Sequence, residues 1–384
     1  LLKIERFMNS FKFWQNYNKN VKDRILKLLE SEKSDSVLCD LHMHSNYSSD
    51  GKQTLTEIID NAIDRGFKII AITDHDSVKV FDELYTLIKN NKLPLNAPII
   101  ITGIEQTISF KEYGTMCHIL KYFINPKSRA VNKDIKILNR SYYKRAKIQF
   151  DRISKNRALQ DIFKEFEISV SYKEFLKFLK LKNIALPDYA PLIEYIADKL
   201  KEKGVKTSYL YNKVLFYNSL DTCKQRKDMC DARFAYLDNK YTTQKIDIED
   251  NRRFMLSILA VRGVDDDIFM GFPPTGSLSV NEYGQVTIYK QNTEGVTVFA
   301  HPNHEKLKLI KDIKHCAGGF VGLEENFKSD KNYFNELEAT ALEQNLIVTK
   351  GSDSHSLKDD VYNDLSFYST STLALKKLVE AYKG

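Results

Sequence analysis

Seven short apolar runs rich in β-branched residues constrain this fold most: residues 37–41, 68–73, 98–104, 117–124, 296–300, 319–323 and 346–349. Continuous runs of this length predict strands buried on both faces. Helical patterns lie between several of them. Residues 55–65, for example, place Leu55, Ile58, Ile59, Ala62 and Ile63 on one stripe before Gly66 stops it. Strands alternating with helices imply parallel βα units. Seven strands, in blocks of four and three, therefore predict an α/β chain whose sheet is a closed or nearly closed βα barrel.

The 384 residues are enough for one large domain or two ordinary ones, and 42% apolar with 28% charged residues is the composition of a folded globular chain. The expected organisation is a helical N-terminal extension (1–36), a first part of the barrel (37–125), an inserted domain (126–292) and the second part of the barrel (293–384). Residues 1–36 carry Ile4, Phe7, Met8, Phe11, Trp14, Val21, Ile25, Leu28 and Leu29 at helical spacing. Such a stripe suits a helix packed on the main body or one that dimerises. The first half of the insertion reads as helical, and its residues 141–160 hold six basic side chains and one acidic, interleaved with Tyr142, Tyr143 and Phe150. Further on, residues 278–280 and 286–289 flank a polar stretch like a hairpin. No apolar run approaches the roughly 18–20 residues of a membrane helix, and residues 1–10 lack the apolar core of a secretory leader. Five scattered cysteines, Cys39, Cys117, Cys223, Cys230 and Cys316, read as reduced thiols rather than a disulfide framework. A soluble, cytoplasmic, mildly basic protein is expected, without a membrane partner.

Nearly every strand hands over to a metal-binding side chain. The first leads into His42 and His44, then Asp50; the second into His75; the third into Glu105. The fourth carries His118 near its start, the fifth leads into His301, and the seventh into Asp353 and His355. Six of the eight histidines belong to this set, at the strand ends where barrel active sites are built. Imidazole mixed with carboxylate suits zinc, manganese or iron rather than calcium. Nine candidate ligands exceed what one ion can use, so a site with two to three divalent ions is expected. Three such ions would outweigh three carboxylates, and the surplus positive charge suits an anionic substrate such as a phosphate ester. Cys39 and Cys117 precede motif residues and should point away from them, as buried strand cysteines rather than ligands.

Taken together, DLHMHSNYSSDG (40–51), ITDHD (72–76), GIE (103–105), His118, AHP (300–302), GLE (322–324) and GSDSH (351–355) resemble the PHP family, the polymerase and histidinol phosphatase phosphoesterases. The resemblance implies a distorted (β/α)7 barrel with a large, mainly helical inserted cap domain, and a hydroxide held on the ions as nucleophile. By that likeness His42, His44, Glu105 and Asp353 hold one ion. Glu105, His118 and His301 hold a second, and Asp50, His75 and His355 a third. Glu324, Asp40, Asp74 and Asp76 are expected to stand behind the ligands, orienting imidazoles or serving as structural groups. Relatives often carry an Arg shortly after AHP; here His304 takes its place as a candidate phosphate contact.

The insertion resembles the cap of stand-alone nucleotide phosphatases and short-RNA exonucleases. Lys144, Arg145, Lys147 and Arg152 are then candidate contacts to a phosphorylated small molecule or short nucleic acid; a merely solvated basic helix is the bland alternative. The expected activity is hydrolysis of nucleotide or short-oligonucleotide phosphate esters. A small-metabolite phosphatase of the histidinol-phosphate type, or a non-catalytic PHP module that regulates a partner, are the competing readings. No GxxxxGK[ST] accompanies the motifs.

Overall fold

The computed structural model describes residues 2–48, 50–110, 115–182, 184, 187, 189–210, 212–213, 278–280, 286–288, 295–313, 319–326, 331–356 and 364–383. The expectations for Cys223, Cys230 and Cys316 lie outside these residues. The chain divides into two compact units, Leu1–Asn139 with Phe269–Gly384, and Arg140–Ile268.

The first unit is the barrel. Its strands are β1 (Ser36–Met43), β2 (Ile69–Ile72), β3 (Ile99–Phe110), β4 (Thr115–Tyr122), β7 (Val296–Phe299), β8 (Gly322–Asn326), β9 (Ile347–Gly351) and β10 (Ser369–Ser371). They follow the order β10-β1-β2-β3-β4-β7-β8-β9. A parallel bridge between Met43 and Ser354 joins the two ends of the seven expected strands. It is flanked by hydrogen bonds from Asp353 N to His42 O and from His44 N to Ser354 O, both 2.9 Å. The eighth strand, β10, pairs antiparallel with the start of β1. A separate two-stranded hairpin, β5 (Leu278–Val280) with β6 (Val286–Ile288), forms where it was expected.

One expectation fails. The strands are not all parallel, because β4 runs antiparallel to both its neighbours, β3 and β7. The reason is chain length: β3 extends to Phe110 and β4 begins at Thr115. So short a link permits a hairpin, whereas a parallel crossover needs about a dozen residues. The reversal brings the start of β4 to the rim where the parallel strands end. It also pairs Tyr122, the last residue of β4, with Val296, the first of β7.

Inward-facing residues of six strands form one core: Cys39 and Leu41, Ile69 and Ala71, Ile99 and Ile101, Leu120 and Tyr122, Val296 and Val298, and Ile347. Helix α1 (Leu2–Ser31) adds Val21 and Ile25 to it, and the C-terminal helix α10 (Thr372–Ala381) adds Leu375, Leu378 and Val379. The middle of the amphipathic stripe, Trp14, Val21 and Ile25, is thus covered by the barrel, whereas Met8 is exposed. Polar bonds fix it there. The Asn18 side chain donates to the carbonyls of Phe123 and Ile124 (both 3.0 Å) and accepts from Thr102 Oγ1 (2.9 Å). Outside the barrel, α2 (Leu55–Asp64) begins at a Thr54–Glu57 capping box and packs with α3 (Val80–Lys89) on β2 and β3. Helices α8 (His304–Ile313) and α9 (Lys331–Glu343) pack on β7 and β8.

The second unit has its own core. Helix α4 (Arg129–Ser154) runs into it, and α5 (Arg157–Glu165), α6 (Tyr172–Leu181) and α7 (Tyr189–Glu202) follow. Phe150, Ile153, Leu159, Ile162, Phe175, Ile196 and Leu200 are buried among them.

Replacing Asn18 by Leu removes its buried hydrogen bonds and leaves the Phe123 carbonyl without its side-chain donor, while Ile124 O keeps the Thr102 hydroxyl at 2.7 Å. The expected loss of stability is about 2–4 kcal/mol, read as a lower urea midpoint. An unchanged midpoint would show that α1 is not tied to the barrel in this way.

Candidate metal centre

Backbone alternation explains why ionisable side chains meet inside a barrel. On β3 the inward series Ile99, Ile101 continues to Glu105, and on β2 the series Ile69, Ala71 continues to His75 just past the strand. Strand β1 needs a correction to its pleat. Its register against β2 shifts between Asp40 and Met43. Leu41 faces the inner core, whereas Met43 packs on the outer side with α2 and α3. The irregularity turns His42 and His44 inward, as bulges beside functional sites do. On the reversed β4, His118 shares its face with Leu120 and Tyr122. His301 and Asp353 sit at φ +26° and +52°, left-handed conformations that non-glycine residues adopt at a cost. Gly351 permits a close approach, since a Cβ there would stand 2.4 Å from the His42 Cβ and 2.3 Å from Glu324 Oε1.

Glu105, fully buried, is the centre. Its Oε2 lies 3.0 Å from His42 Nε2, 3.2 Å from His44 Nε2 and 3.1 Å from His75 Nδ1. Its Oε1 lies 2.9 Å from His301 Nε2 and 3.0 Å from His118 Nδ1. Asp353 Oδ1 approaches His44 Nε2 at 3.2 Å and His42 Nε2 at 3.5 Å. Asp50 Oδ2 approaches His355 Nε2 at 3.2 Å and His75 Nε2 at 3.7 Å. All nine sequence-derived candidates therefore meet in one region.

Among the described residues, four tight groupings have ligand-type atoms within 4.8 Å of one another. His42, His44, Glu105 and Asp353 form one, and His44, Asp50, His75 and His355 form another. Between Glu105, His118 and His301 the geometry differs from the expected trio. His118 groups with His75 and Glu105, and His301 groups with His42 and Glu324, although both histidines face Glu105 Oε1.

The electrostatics follow from burial and these contacts. Burial alone would keep Glu105 neutral, but the imidazoles of His75, His42 and His118 hold its carboxyl well below the usual range. Burial likewise opposes charge on His42, yet Glu324, Glu105 and Asp353 overcome it and raise its pKa far above the ordinary value. His44 is pushed up to about 10, burial being outweighed by bonds to Asp353 and Glu105. His75 goes the other way, down to about 3, because burial dominates there. Asp50 and Asp353 are both lowered: burial opposes their ionisation, and the neighbouring histidines outweigh it.

Two observations fit divalent ions to these residues. His42 Nε2 and His44 Nε2 are 3.0 Å apart and aimed at the same carboxylate oxygen, a spacing that a shared proton or a cation must reconcile. His118 Nδ1 is buried and makes no hydrogen bond, despite its distance to Glu105. The donor set, imidazole nitrogen with carboxylate oxygen, suits zinc, manganese or iron.

The supporting residues divide between the two roles considered for them. Glu324 does orient an imidazole: its Oε1 lies 2.7 Å from His42 Nδ1, and its Oε2 accepts the His301 N–H at 2.9 Å. Asp74 instead uses both oxygens on Ser45, Oδ1 on its N–H and Oδ2 on its hydroxyl. Asp76 holds the N–H and hydroxyl of Thr107, and Asp40 accepts the N–H groups of His42 and Ser352. These aspartates staple the loops that carry the ligands. Cys39 and Cys117 are buried. His304 is exposed and its Nδ1 pairs with Glu336 at 2.5 Å. Lys144, Arg145, Lys147 and Arg152 belong to the second unit. There Arg145 is buried with its guanidinium 4.8 Å from the Tyr142 ring, and Lys147 pairs with Asp151 at 2.5 Å. Lys144 and Arg152 are exposed. Ser48, whose hydroxyl touches several of these groups, was not among the sequence-derived candidates. A serine in an Asn/Ser/Asp/Gly stretch reads as loop, and no spacing signals more.

Fold and site together define an α/β barrel with a cluster of histidines and carboxylates, of a composition that could hold metal ions, at one rim. Residues 40–205 match the PHP domain family. It is 31% identical over 108 residues to a 3′,5′-nucleoside bisphosphate phosphatase of Chromobacterium violaceum, an alignment covering 28% of this chain. The chain spans only 35% of the length of that relative. A solved structure from Bifidobacterium adolescentis, described as a metal-dependent phosphoesterase, superposes with a TM-score of 0.51 at 18% identity. That superposition covers 89% of this chain and 95% of the other, and supports the fold. No described helix is long and apolar enough to cross a membrane.

With the pKa of both His42 and His44 raised, this pair tends to keep a proton at neutral pH in the metal-free protein, while Glu105 is held ionised. Metal loading must displace that imidazole proton, so affinity should rise with pH from 6 towards 9. Calorimetric zinc titrations in buffers of different ionisation enthalpy should show net proton release. Uptake without proton release would contradict this description of the centre.

Proposed function

We propose that the protein is a metal-dependent phosphoesterase that hydrolyses phosphate esters of nucleotides or short oligonucleotides. The observation that carries this reading is the convergence of five imidazoles on the single buried carboxylate of Glu105, with Asp50 and Asp353 beside it. His42, His44, Glu105 and Asp353 would hold one ion, Glu105 with His118 and His301 a second, and Asp50, His75 and His355 a third. Manganese, zinc and iron all suit this set. When bound, such ions activate water at neutral pH and stabilise the charge that develops on an attacked phosphate. The chain's own part is to hold the ligands in a buried, pre-arranged geometry. Glu105 would be shared between two ions, and Glu324 would keep the Nδ1 proton of His42 turned away from them. A cytoplasmic, metal-replete setting accords with the buried thiols of Cys39 and Cys117.

Two further observations support a nucleotide substrate. The similar protein from Chromobacterium violaceum is named for a nucleoside bisphosphate. In addition, residues 140–210 contain 16 basic and 9 acidic side chains, so this stretch alone accounts for the formal +7 of the whole chain. Such a segregated excess favours a polyanionic partner. A second reading, a small-metabolite phosphatase of the histidinol-phosphate type, is favoured by the burial of Arg145 and the pairing of Lys147 with Asp151. Both withdraw cations from a continuous backbone track. The complete ligand set weighs against a non-catalytic regulatory module.

The test is phosphate release by protein loaded with manganese, zinc or iron, on nucleoside monophosphates, 3′,5′-bisphosphates, short RNA and histidinol phosphate. Nucleotide substrates should be preferred. Glu105→Gln should lower kcat/KM by more than the roughly 10–100-fold typical of residues behind the ligands, and by more than Asp50→Asn does. Preference for histidinol phosphate would install the second reading, and no hydrolysis of any ester under any metal would refute the activity.

A further inference from the structure

The hydroxyl of Ser48 occupies an unusual position. Ser48 is buried at 3% exposure in the loop between β1 and α2, and its backbone N–H donates to Ser45 O at 3.0 Å. Its Oγ donates to Asp50 Oδ1 at 3.0 Å and accepts the N–H of His75 at 3.1 Å. The same oxygen lies 3.2 Å from His44 Nδ1. A hydroxyl has one proton and two lone pairs. With the proton committed to Asp50, both lone pairs must accept, one from the His75 backbone and one from His44. His44 must therefore carry its proton on Nδ1, which leaves Nε2 directed at Glu105 and Asp353. With Asp50 Oδ1 engaged, Oδ2 is the oxygen that faces His75 and His355.

We propose that Ser48 is the positioning residue of the outer metal cluster, His44, Asp50, His75 and His355, and that its one hydroxyl sets three of these four ligands at once. The inference rests on the metal-dependent reading given above. It concerns the order of the ligands rather than the substrate. The loop is built tightly enough to hold such a hub. A Cβ on Gly51 would stand 2.0 Å from Ser45 O and 3.3 Å from the Ser48 Cβ, so the chain can close around Ser48 only with glycine there. Ser45 provides a natural comparison, because it lies in the same loop and its hydroxyl is equally buried. That hydroxyl is bonded to Asp74 at 2.7 Å.

The outer cluster is the more exposed one: Asp50 is 43% and His355 25% exposed, whereas His42 and Glu105 of the inner cluster are at 0%. A ligand set so open to water depends most on being held in place. Loss of the Ser48 hydroxyl would free Asp50 to rotate and let His44 adopt either tautomer. The outer ion, which depends on Asp50 and His75 as well, should then be lost first.

Zinc binding by equilibrium dialysis, with metal content read by mass spectrometry, tests this on the full chain. The wild type sets the stoichiometry. Ser48→Ala should bind one ion fewer, or bind its weakest ion about 10–100-fold less tightly, with the folded circular-dichroism signal unchanged. Ser48→Thr, which keeps the hydroxyl, should restore the wild-type value, and Ser45→Ala should lower the melting temperature while keeping every ion. Nitrogen-15 spectra of the zinc-loaded proteins should show His44 ligated through Nε2 in the wild type and in mixed states in Ser48→Ala. Equal stoichiometry and affinity in wild type and Ser48→Ala would overturn the assignment. So would loss of all ions together with the folded circular-dichroism signal, because that describes a structural role. If wild-type protein binds no zinc, manganese or iron, the metal-dependent reading fails and takes this inference with it. If it binds them but hydrolyses no ester, only the proposed activity fails.

Discussion

A buried carboxylate surrounded by imidazoles is the interaction on which the rest of this structure depends. An isolated carboxylate in a protein interior is costly, and one that loses its partners costs more than the pair was worth. Glu105 escapes that cost because His42, His44, His75, His118 and His301 all present nitrogen to it within 3.2 Å. The arrangement is reciprocal. Glu105 holds His42 and His44 towards the protonated state in the metal-free protein, and those groups hold Glu105 ionised. A centre held by protons in this way is prepared to exchange them for divalent cations without rebuilding its walls.

The barrel makes that convergence possible through three departures from regularity. The register shift in β1 turns His42 and His44 inward. The reversal of β4 brings His118 to the rim where its neighbours deliver their ligands. Left-handed backbone at His301 and Asp353 re-aims the chain at the ends of β7 and β9. The first and third of these are held by specific bonds. Asp40 accepts the His42 N–H next to the bulge, Glu324 accepts the His301 N–H, and the Asp353 N–H is taken up by His42 O. At the other end, α1 and α10 supply the apolar residues that complete the inner core, so the strands bearing the ligands have a rigid base.

Much of this was legible in the sequence, and the remainder was illegible for definable reasons. The seven strands could be read because continuous apolar runs mark burial on both faces. The nine ligands could be read because histidines and carboxylates gather at the ends of those runs. Strand direction could not be read from the runs, since hydrophobicity carries no polarity. The absence of a helical pattern between residues 104 and 117 was the available signal that β3 and β4 form a hairpin. The bulge in β1 left no trace, because Leu41 and His42 suit either face. The stripe on α1 announced a buried face without naming what buries it. Arg145 looked like a solvent-facing cation and proved buried beside Tyr142, which follows from its turn of α4 and not from its charge. Ser48 acts through geometry that no composition or spacing encodes.

Anomalous scattering from crystals of the manganese-loaded protein tests the central place of Glu105 most directly. The account predicts peaks on both sides of its carboxylate, each within about 2.0–2.3 Å of one of its oxygens, with His42 and His44 on one side and His118 and His301 on the other. A single peak out of reach of Glu105, or peaks confined to surface carboxylates, would contradict it.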